Sequence, residues 1–199
     1  MTASTTFDFR TKYTRTNLLT RFLLRGFFGA VEKLVRRANP RRMFEVGCGE
    51  GFSTQQLHAM FPQVELHACD IEDRLVAAAQ ENNPQIPITL QSIYKLQAQD
   101  QSYGLVLAME VLEHVEDPAR ALEELVRVAN PWIIVTVPRE PLWRILNVAR
   151  GKYLSDLGNT PGHIQHWSQR SFARFVSGSA EVVEVLAPLP WTVVLARRR

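Results

Sequence analysis

The stretch "MFEVGCGEGFST", residues 43–54, decides how the rest of the chain is read. A short apolar run, "MFEV", enters three glycines within five residues (Gly47, Gly49, Gly51), and a helical pattern follows at once. Glycine loses more backbone freedom on folding than any other residue, so such a cluster marks a tight turn or a close approach to bare main chain. Strand, bare loop, helix fits either an ordinary glycine-rich βα turn or a cofactor loop of an α/β unit.

Working outward, the apolar periodicity alternates between the two periods. Upstream, residues 18–37 carry a helical stripe through Leu19, Phe22, Leu23, Phe27, Val31 and Leu34, ended by Pro40. Downstream, "STQQLHAMF" reads as a helix with Ser53 or Thr54 placed to cap it. "VELHACD" is a strand, "EDRLVAAAQEN" a helix stopped by Asn83-Pro84, "ITLQSI" a third strand and "YGLVLAMEV" a fourth. Asp117-Pro118 opens another helix, with Asp as cap and Pro in the first turn. "WIIVTVP" is a fifth strand. After a mixed segment and a helix near residues 168–176, the chain closes with strands "VVEVLA" and "WTVVLA" joined only by "PLP". Parallel strands need helical crossovers, whereas a pair without one is a hairpin. The fold class predicted is a doubly wound, mostly parallel seven-stranded α/β sheet, Rossmann-like, with an antiparallel C-terminal hairpin and an N-terminal helical extension.

With 199 residues and 46% hydrophobic composition, one domain is expected. It divides into an extension (1–39), a cofactor-binding core (40–138), a substrate-side segment (139–180) and the hairpin (181–199). Cys48 and Cys69 match neither a zinc spacing nor a disulfide framework, which fits a reducing cytosol. The polar start, with Asp8, does not read as a signal peptide, and Arg21, Arg25, Glu32 and Lys33 interrupt the longest apolar stretch. A cytoplasmic location is expected.

The net charge of +3 is unevenly spread. Residues 1–42 hold ten Lys/Arg and two acids, residues 43–138 four and fourteen, and residues 139–199 nine and four. An acidic middle suits a cationic ligand and argues against nucleic acid there, while the basic flanks could face an anionic surface. Peripheral membrane or lipid contact through the N-terminal basic amphipathic helix is therefore an expectation too.

The second strand ends at Asp70, about twenty residues past the glycine loop, where a carboxylate can take both hydroxyls of a ribose. Loop and Asp together indicate a nucleoside-containing cofactor. The spacing is G-x-G-x-G rather than G-x-G-x-x-G, and Glu50 would repel a pyrophosphate, so NAD is disfavoured. "FEVGCGEGFST", "HACD", "YGLVLAMEVLEHV" and "DPARALEELVRV" resemble the class I S-adenosylmethionine (SAM)-dependent methyltransferases. The branch they resemble includes the ubiquinone/menaquinone biosynthesis enzymes.

The resemblance covers residues 43–138 and implies SAM as cofactor, S-adenosylhomocysteine as product and a small-molecule acceptor: a lipid, quinone or glycan precursor. It implies that Glu45 lies near the cofactor's amino-acid end and that Gly47, Cys48, Gly49 and Gly51 wrap the methionine part. Asp70 would take the ribose, Ile71 the adenine face, and Met109 and Glu110 the methionine moiety. Ser92 stands where the family often has an Asp toward the adenine, with Ile93 beside it, and Gly104 replaces a frequent Asp. In "NTPGHIQHWS", His163 and His166 are candidates for base or substrate anchor, against the alternative that Trp167 packs the next helix and the histidines are turn residues. H-x-x-H lacks an obvious third ligand, so no metal is expected. Tyr13 and Arg15 are read as folding over the cofactor. A SAM-binding regulatory module without turnover and a nicotinamide oxidoreductase are the rival readings.

Overall fold

Strand β1 (Arg42–Val46) sits mid-sheet, and its residues alternate between two cores: Phe44 faces one, Met43 the other. In the computed structural model, which describes residues 18–199, seven strands form one sheet. The others are β2 (Glu65–Asp70), β3 (Ile88–Leu90), β4 (Tyr103–Met109), β5 (Ala129–Pro138), β6 (Glu181–Leu186) and β7 (Trp191–Arg197). Their order is β3-β2-β1-β4-β5-β7-β6. The first five are mutually parallel, and β7 is antiparallel to both β5 and β6. The predicted hairpin is there, with its second strand inserted against β5.

Helices α1 (Leu18–Ala38), α2 (Phe52–Met60) and α3 (Asp73–Asn82) bury Val31, Leu34, Leu57 and Ala79 against one face, with Leu105, Leu107 and Leu195. Helices α4 (Pro118–Val128) and α6 (Gln169–Ser179) bury Leu122, Leu125, Phe172 and Val176 against the other, with Val106, Ala108 and Val135. Period-2 strands thus feed both faces, as near-continuous apolar runs require. Asp117 caps α4 as expected, accepting from the Arg120 N–H at 3.0 Å, with Pro118 in the first turn.

Four expectations need correction. Helix α2 is capped by Gly51 in the left-handed conformation, not by Ser53 or Thr54, because the Thr54 hydroxyl is taken by Glu45. The third strand stops at Leu90, and Ser92 lies in a turn beyond it. The mixed segment, for which the sequence assigns no helix, contains a further helix, α5 (Leu142–Ala149), entered through Pro141. In α1 the stripe is buried only from Phe27 onward, and Leu19 and Phe22 remain exposed. Gly104 has a packing reason: a Cβ there would approach Pro40 Cβ to 3.3 Å.

Candidate active site

Strand order reverses between β1 and β4, and a cleft of about 550 Å³ opens beyond the carboxyl ends of β1, β2, β3 and β4. Four turns meet there. The β1 turn is folded by hydrogen bonds from the Gly47 and Cys48 N–H groups to the Cys69 carbonyl, at 2.8 and 3.0 Å. Gly47 has φ +79, and a Cβ on it would come within 2.5 Å of Val111, on the β4 turn. Gly51, at φ +81, closes the loop onto α3, where a Cβ would collide with Asn83. Asn83 is fully buried and donates to the Gly51 and Ala79 carbonyls, both at 3.0 Å; Asn82 donates to the Glu50 carbonyl at 2.8 Å. Asn83, read from sequence only as part of the Asn83-Pro84 helix stop, braces the glycine loop together with Asn82.

Asp70 faces the loop from the end of β2. Its Oδ2 accepts from the Gly49 N–H at 2.8 Å and its Oδ1 from the Glu72 N–H at 3.1 Å. The carboxylate is therefore an organiser of the loop as well as a lining group of the cleft.

Glu45 lies beneath the loop and does not line the cleft. It is 1% exposed, its Oε2 accepts from the Thr54 hydroxyl at 2.6 Å, and its Oε1 has no hydrogen-bond partner among the described residues. Burial pushes its pKa up to about 7, against the lowering effect of hydroxyl hydrogen bonds and with a small push from Asp70. Cys48 lines the cleft, and burial raises its thiol well beyond the ordinary range; burial likewise pushes Cys69 up to about 12. Both are inert thiols.

The other candidates divide. Ile71, Ile93, Met109 and Glu110 line the cleft, Ile71 largely exposed to it. The Ser92 hydroxyl instead accepts from the Tyr94 N–H at 3.3 Å, and the lining is made by Gln91, Ile93 and Tyr94 around it. Tyr94 was not foreseen; its hydroxyl accepts from the Asp117 N–H at 3.0 Å. Glu110, at φ +58, is pinned by the Trp191 indole (2.7 Å to Oε2) and the Thr136 hydroxyl (3.2 Å to Oε1).

The two histidines of "GHIQHW" part company. His166 Nε2 is hydrogen-bonded to Asn159 Oδ1 at 2.8 Å. His163 is buried, stacked on Trp143 with centroids 6.1 Å apart, and meets His114 edge-on at 4.8 Å. His114 lines the cleft beside Pro161. Trp167 packs on Phe172 and Phe175, both at 5.4 Å, which is the scaffold role weighed for it. Tyr13 and Arg15 fall outside the described residues.

Five carboxylates, those of Glu50, Asp70, Glu72, Glu110 and Glu116, line the cleft, and its described lining contains no Lys or Arg. The walls between them are apolar: Val46, Phe52, Leu75, Met109, Val111, Val115. Among the described residues no cationic side chain faces a pyrophosphate here, whereas an organic cation with a flat ring would meet carboxylates and apolar walls.

Fold and cleft together define a nucleoside-cofactor α/β protein of the doubly wound class. Residues 44–134 match the family model described as a methyltransferase domain. A ubiquinone biosynthesis O-methyltransferase of Xanthomonas oryzae pv. oryzae is 32% identical over 124 residues, 58% of this chain and 51% of that protein. A probable S-adenosylmethionine-dependent methyltransferase of Mycobacterium tuberculosis is 30% identical over 97 residues, 49% of this chain and 35% of that one. The chain spans about half the length of the curated relatives it matches first. Among solved structures, the magnesium protoporphyrin IX methyltransferase of Synechocystis PCC 6803 with bound SAH superimposes with TM-score 0.71, covering 96% of this chain and 93% of that one at 16% identity. At that identity the likeness establishes the fold alone.

Proposed function

We propose that this protein transfers the methyl group of SAM to a hydroxyl oxygen of a small, largely apolar acceptor, a quinone precursor being the favoured kind. The observation that carries the reading is the cleft lined by five carboxylates and, among the described residues, no basic side chain, beneath a bared glycine loop tied to Asp70. SAM brings a sulfonium and an ammonium against one carboxylate, and its transfer product has lost the sulfonium charge. An acidic cleft therefore holds the reactant better than the product, which favours product release. The acceptor class rests on the O-methyltransferase relative and on the apolar walls.

Methyl transfer is an in-line attack on carbon with a neutral thioether leaving, so no acid is needed at the leaving group. Most of the catalysis is then positional, out of the roughly 7–11 kcal/mol that alignment can supply. A hydroxyl nucleophile must lose its proton, and His114, which lines the cleft and groups with the buried Glu113 and His163, is the side chain read as taking it. A cytosolic site of action with contact at a membrane surface belongs to the same reading, because Leu18, Leu19 and Phe22 are exposed beside Arg21 and Arg25.

The test is calorimetric titration with SAM, SAH and NAD, followed by transfer of labelled methyl to a panel of phenolic and catecholic acceptors. SAM and SAH should bind and NAD should not. Binding of NAD alone would overturn the cofactor assignment, and binding of SAM with no transfer across the panel would favour the regulatory module.

A further inference from the structure

Strand β4 ends at Met109, and the chain then turns through Glu110 at φ +58. Among the described residues, five besides glycine have positive φ, and Glu110 is the one of them that lines the cleft. A side chain disfavours that conformation, so it persists only where neighbours over-determine it. Here two strands supply the neighbours. From β5, the Thr136 carbonyl and hydroxyl both accept from the Glu110 N–H, at 3.2 and 3.1 Å, and the same hydroxyl donates to Glu110 Oε1 at 3.2 Å. From β7, the Trp191 indole donates to Oε2 at 2.7 Å. We propose that Trp191 is a positioning residue for the cofactor: by holding Glu110 in its left-handed turn, the indole N–H fixes the end of β4 against the glycine loop.

Three observations give Trp191 this role beyond packing. It is 4% exposed and stands outside the cleft lining, so what it does for a ligand passes through Glu110. The turn it holds bears on the loop: Val111, the next residue, fills the place a Cβ of Gly47 would take, at 2.5 Å. Met109, Glu110 and Val111 therefore face the same cleft as Gly47, Cys48 and Gly49, and the backbone of Glu110 decides where Val111 stands. Finally, the ring of Trp191 is engaged apart from its N–H. Phe27 of α1 lies against it with centroids 4.9 Å apart, and Trp143 of α5 at 5.9 Å. Those contacts need an aromatic ring, and neither uses the indole N–H, which is directed at Glu110.

The pin acts by selecting one shape of the cleft. Hydrogen bonds to a carboxylate are among the stronger kinds, and this one joins β7 to a turn that leaves the sheet two strands away. Without the donor, Glu110 relaxes out of the left-handed region, Val111 loses its seat on Gly47, and other shapes of the cleft are populated. Only the pinned shape is competent for the cofactor, so the apparent affinity falls with the fraction of chains that keep it. The inference rests on the reading that the cleft holds SAM, and no step of the transfer chemistry is routed through Trp191.

The full-length protein and its variants are titrated with SAH by calorimetry, and their melting is followed by circular dichroism. SAH lacks the sulfonium, so the loss of a cleft carboxylate weighs less on it than on SAM. Trp191→Phe keeps a ring for Phe27 and Trp143 and removes the donor; it should weaken SAH binding about tenfold or more. Glycine adopts φ +58 without a pin, so adding Glu110→Gly to Trp191→Phe should bring the affinity back to within about threefold of the wild type. A packing defect around Trp191 would not be rescued from position 110. A double variant as weak as Trp191→Phe alone therefore overturns the positioning role, as does wild-type affinity in Trp191→Phe. Thr136→Val, of similar shape, removes the hydroxyl bonded to the other carboxylate oxygen and should weaken binding about threefold. Should Trp191→Phe fail to fold, wild-type affinity in Thr136→Val overturns the pin in its place. A wild type that binds neither SAH nor SAM sinks the methyl-transfer reading and this inference with it, whereas normal wild-type binding with an indifferent Trp191→Phe sinks the inference alone.

Discussion

Asp70 holds two backbone N–H groups, one on the glycine loop and one on its own turn, with a charged acceptor. Hydrogen bonds to charged groups contribute about 1.5–3 kcal/mol each, so Asp70→Ala should lower stability by a few kcal/mol as well as weaken SAM binding more than tenfold. Denaturant unfolding and calorimetry on the same sample check both; unchanged SAM affinity would show that the carboxylate serves the loop only. Glu45 has the opposite electrostatics. Its pKa is raised from 4.5 to about 7, so below pH 4.5 both folded and unfolded chains hold the proton. Between pH 4.5 and 7 only the unfolded chain releases it, and stability falls as pH rises through that window, by about 3 kcal/mol at most. Glu45→Gln keeps an acceptor for Thr54 and should remove this fall, so the variant gains on the wild type at pH 8 and not at pH 4. A cation seated on the loop would pull the Glu45 pKa down, so SAM binding near pH 6.5 should release protons. The binding enthalpy would then depend on the buffer in the wild type and not in Glu45→Gln.

The glycine loop shows two kinds of requirement within one element. Gly47 needs both its positive φ and its bare α-carbon, because Val111 occupies the Cβ position. Gly49 needs only the φ, at +56, and a methyl there would point into open space. Gly47→Ala should therefore lower the melting temperature and SAM affinity together. Gly49→Ala should cost about 1–2 kcal/mol in stability at most, and crowd the cofactor. If Gly47→Ala melts like the wild type, the turn is not locked against β4. The difference between these glycines was invisible in the sequence, since it is made by a residue 64 positions away. What was legible was local: strand and helix periods, the Asp117 cap, the loop and Asp70. What was not legible was made by the returning chain. Asn83 bracing the loop, Trp191 pinning Glu110 and His163 meeting His114 rather than His166 are contacts between elements that no spacing encodes. Helix α5 escaped because Pro138 and Pro141 bracket its entry, although its face toward the fold is fixed by the Trp143 indole donating to Thr160 at 2.9 Å.

Across the whole molecule, charge is sorted by place as it is by sequence. The acidic middle is the cleft, and the basic N-terminal stretch supplies α1, whose Lys33 and Arg37 both pair with Glu184 on β6. That anchoring holds the C-terminal half of α1 on the sheet, where Phe27 packs against Trp191 with centroids 4.9 Å apart. The first turns are left outside: Leu18 is 83% exposed, Phe22 71%, with Arg21 and Arg25 among them. Ile145 and Val148 on α5 are exposed as well. No helix of the described residues is long and apolar enough to cross a membrane, so a lipid surface would be met side-on. Co-sedimentation with vesicles containing anionic lipid should capture the protein at low salt and progressively less as salt is added, since screening weakens the arginine contribution. Phe22→Glu should lose capture at every salt concentration while binding SAM like the wild type, because Phe22 touches neither the core nor the cleft. Equal partitioning of Phe22→Glu and wild type would show that the exposed start of α1 is not a lipid contact, and an apolar acceptor would then have to reach the cleft from solution.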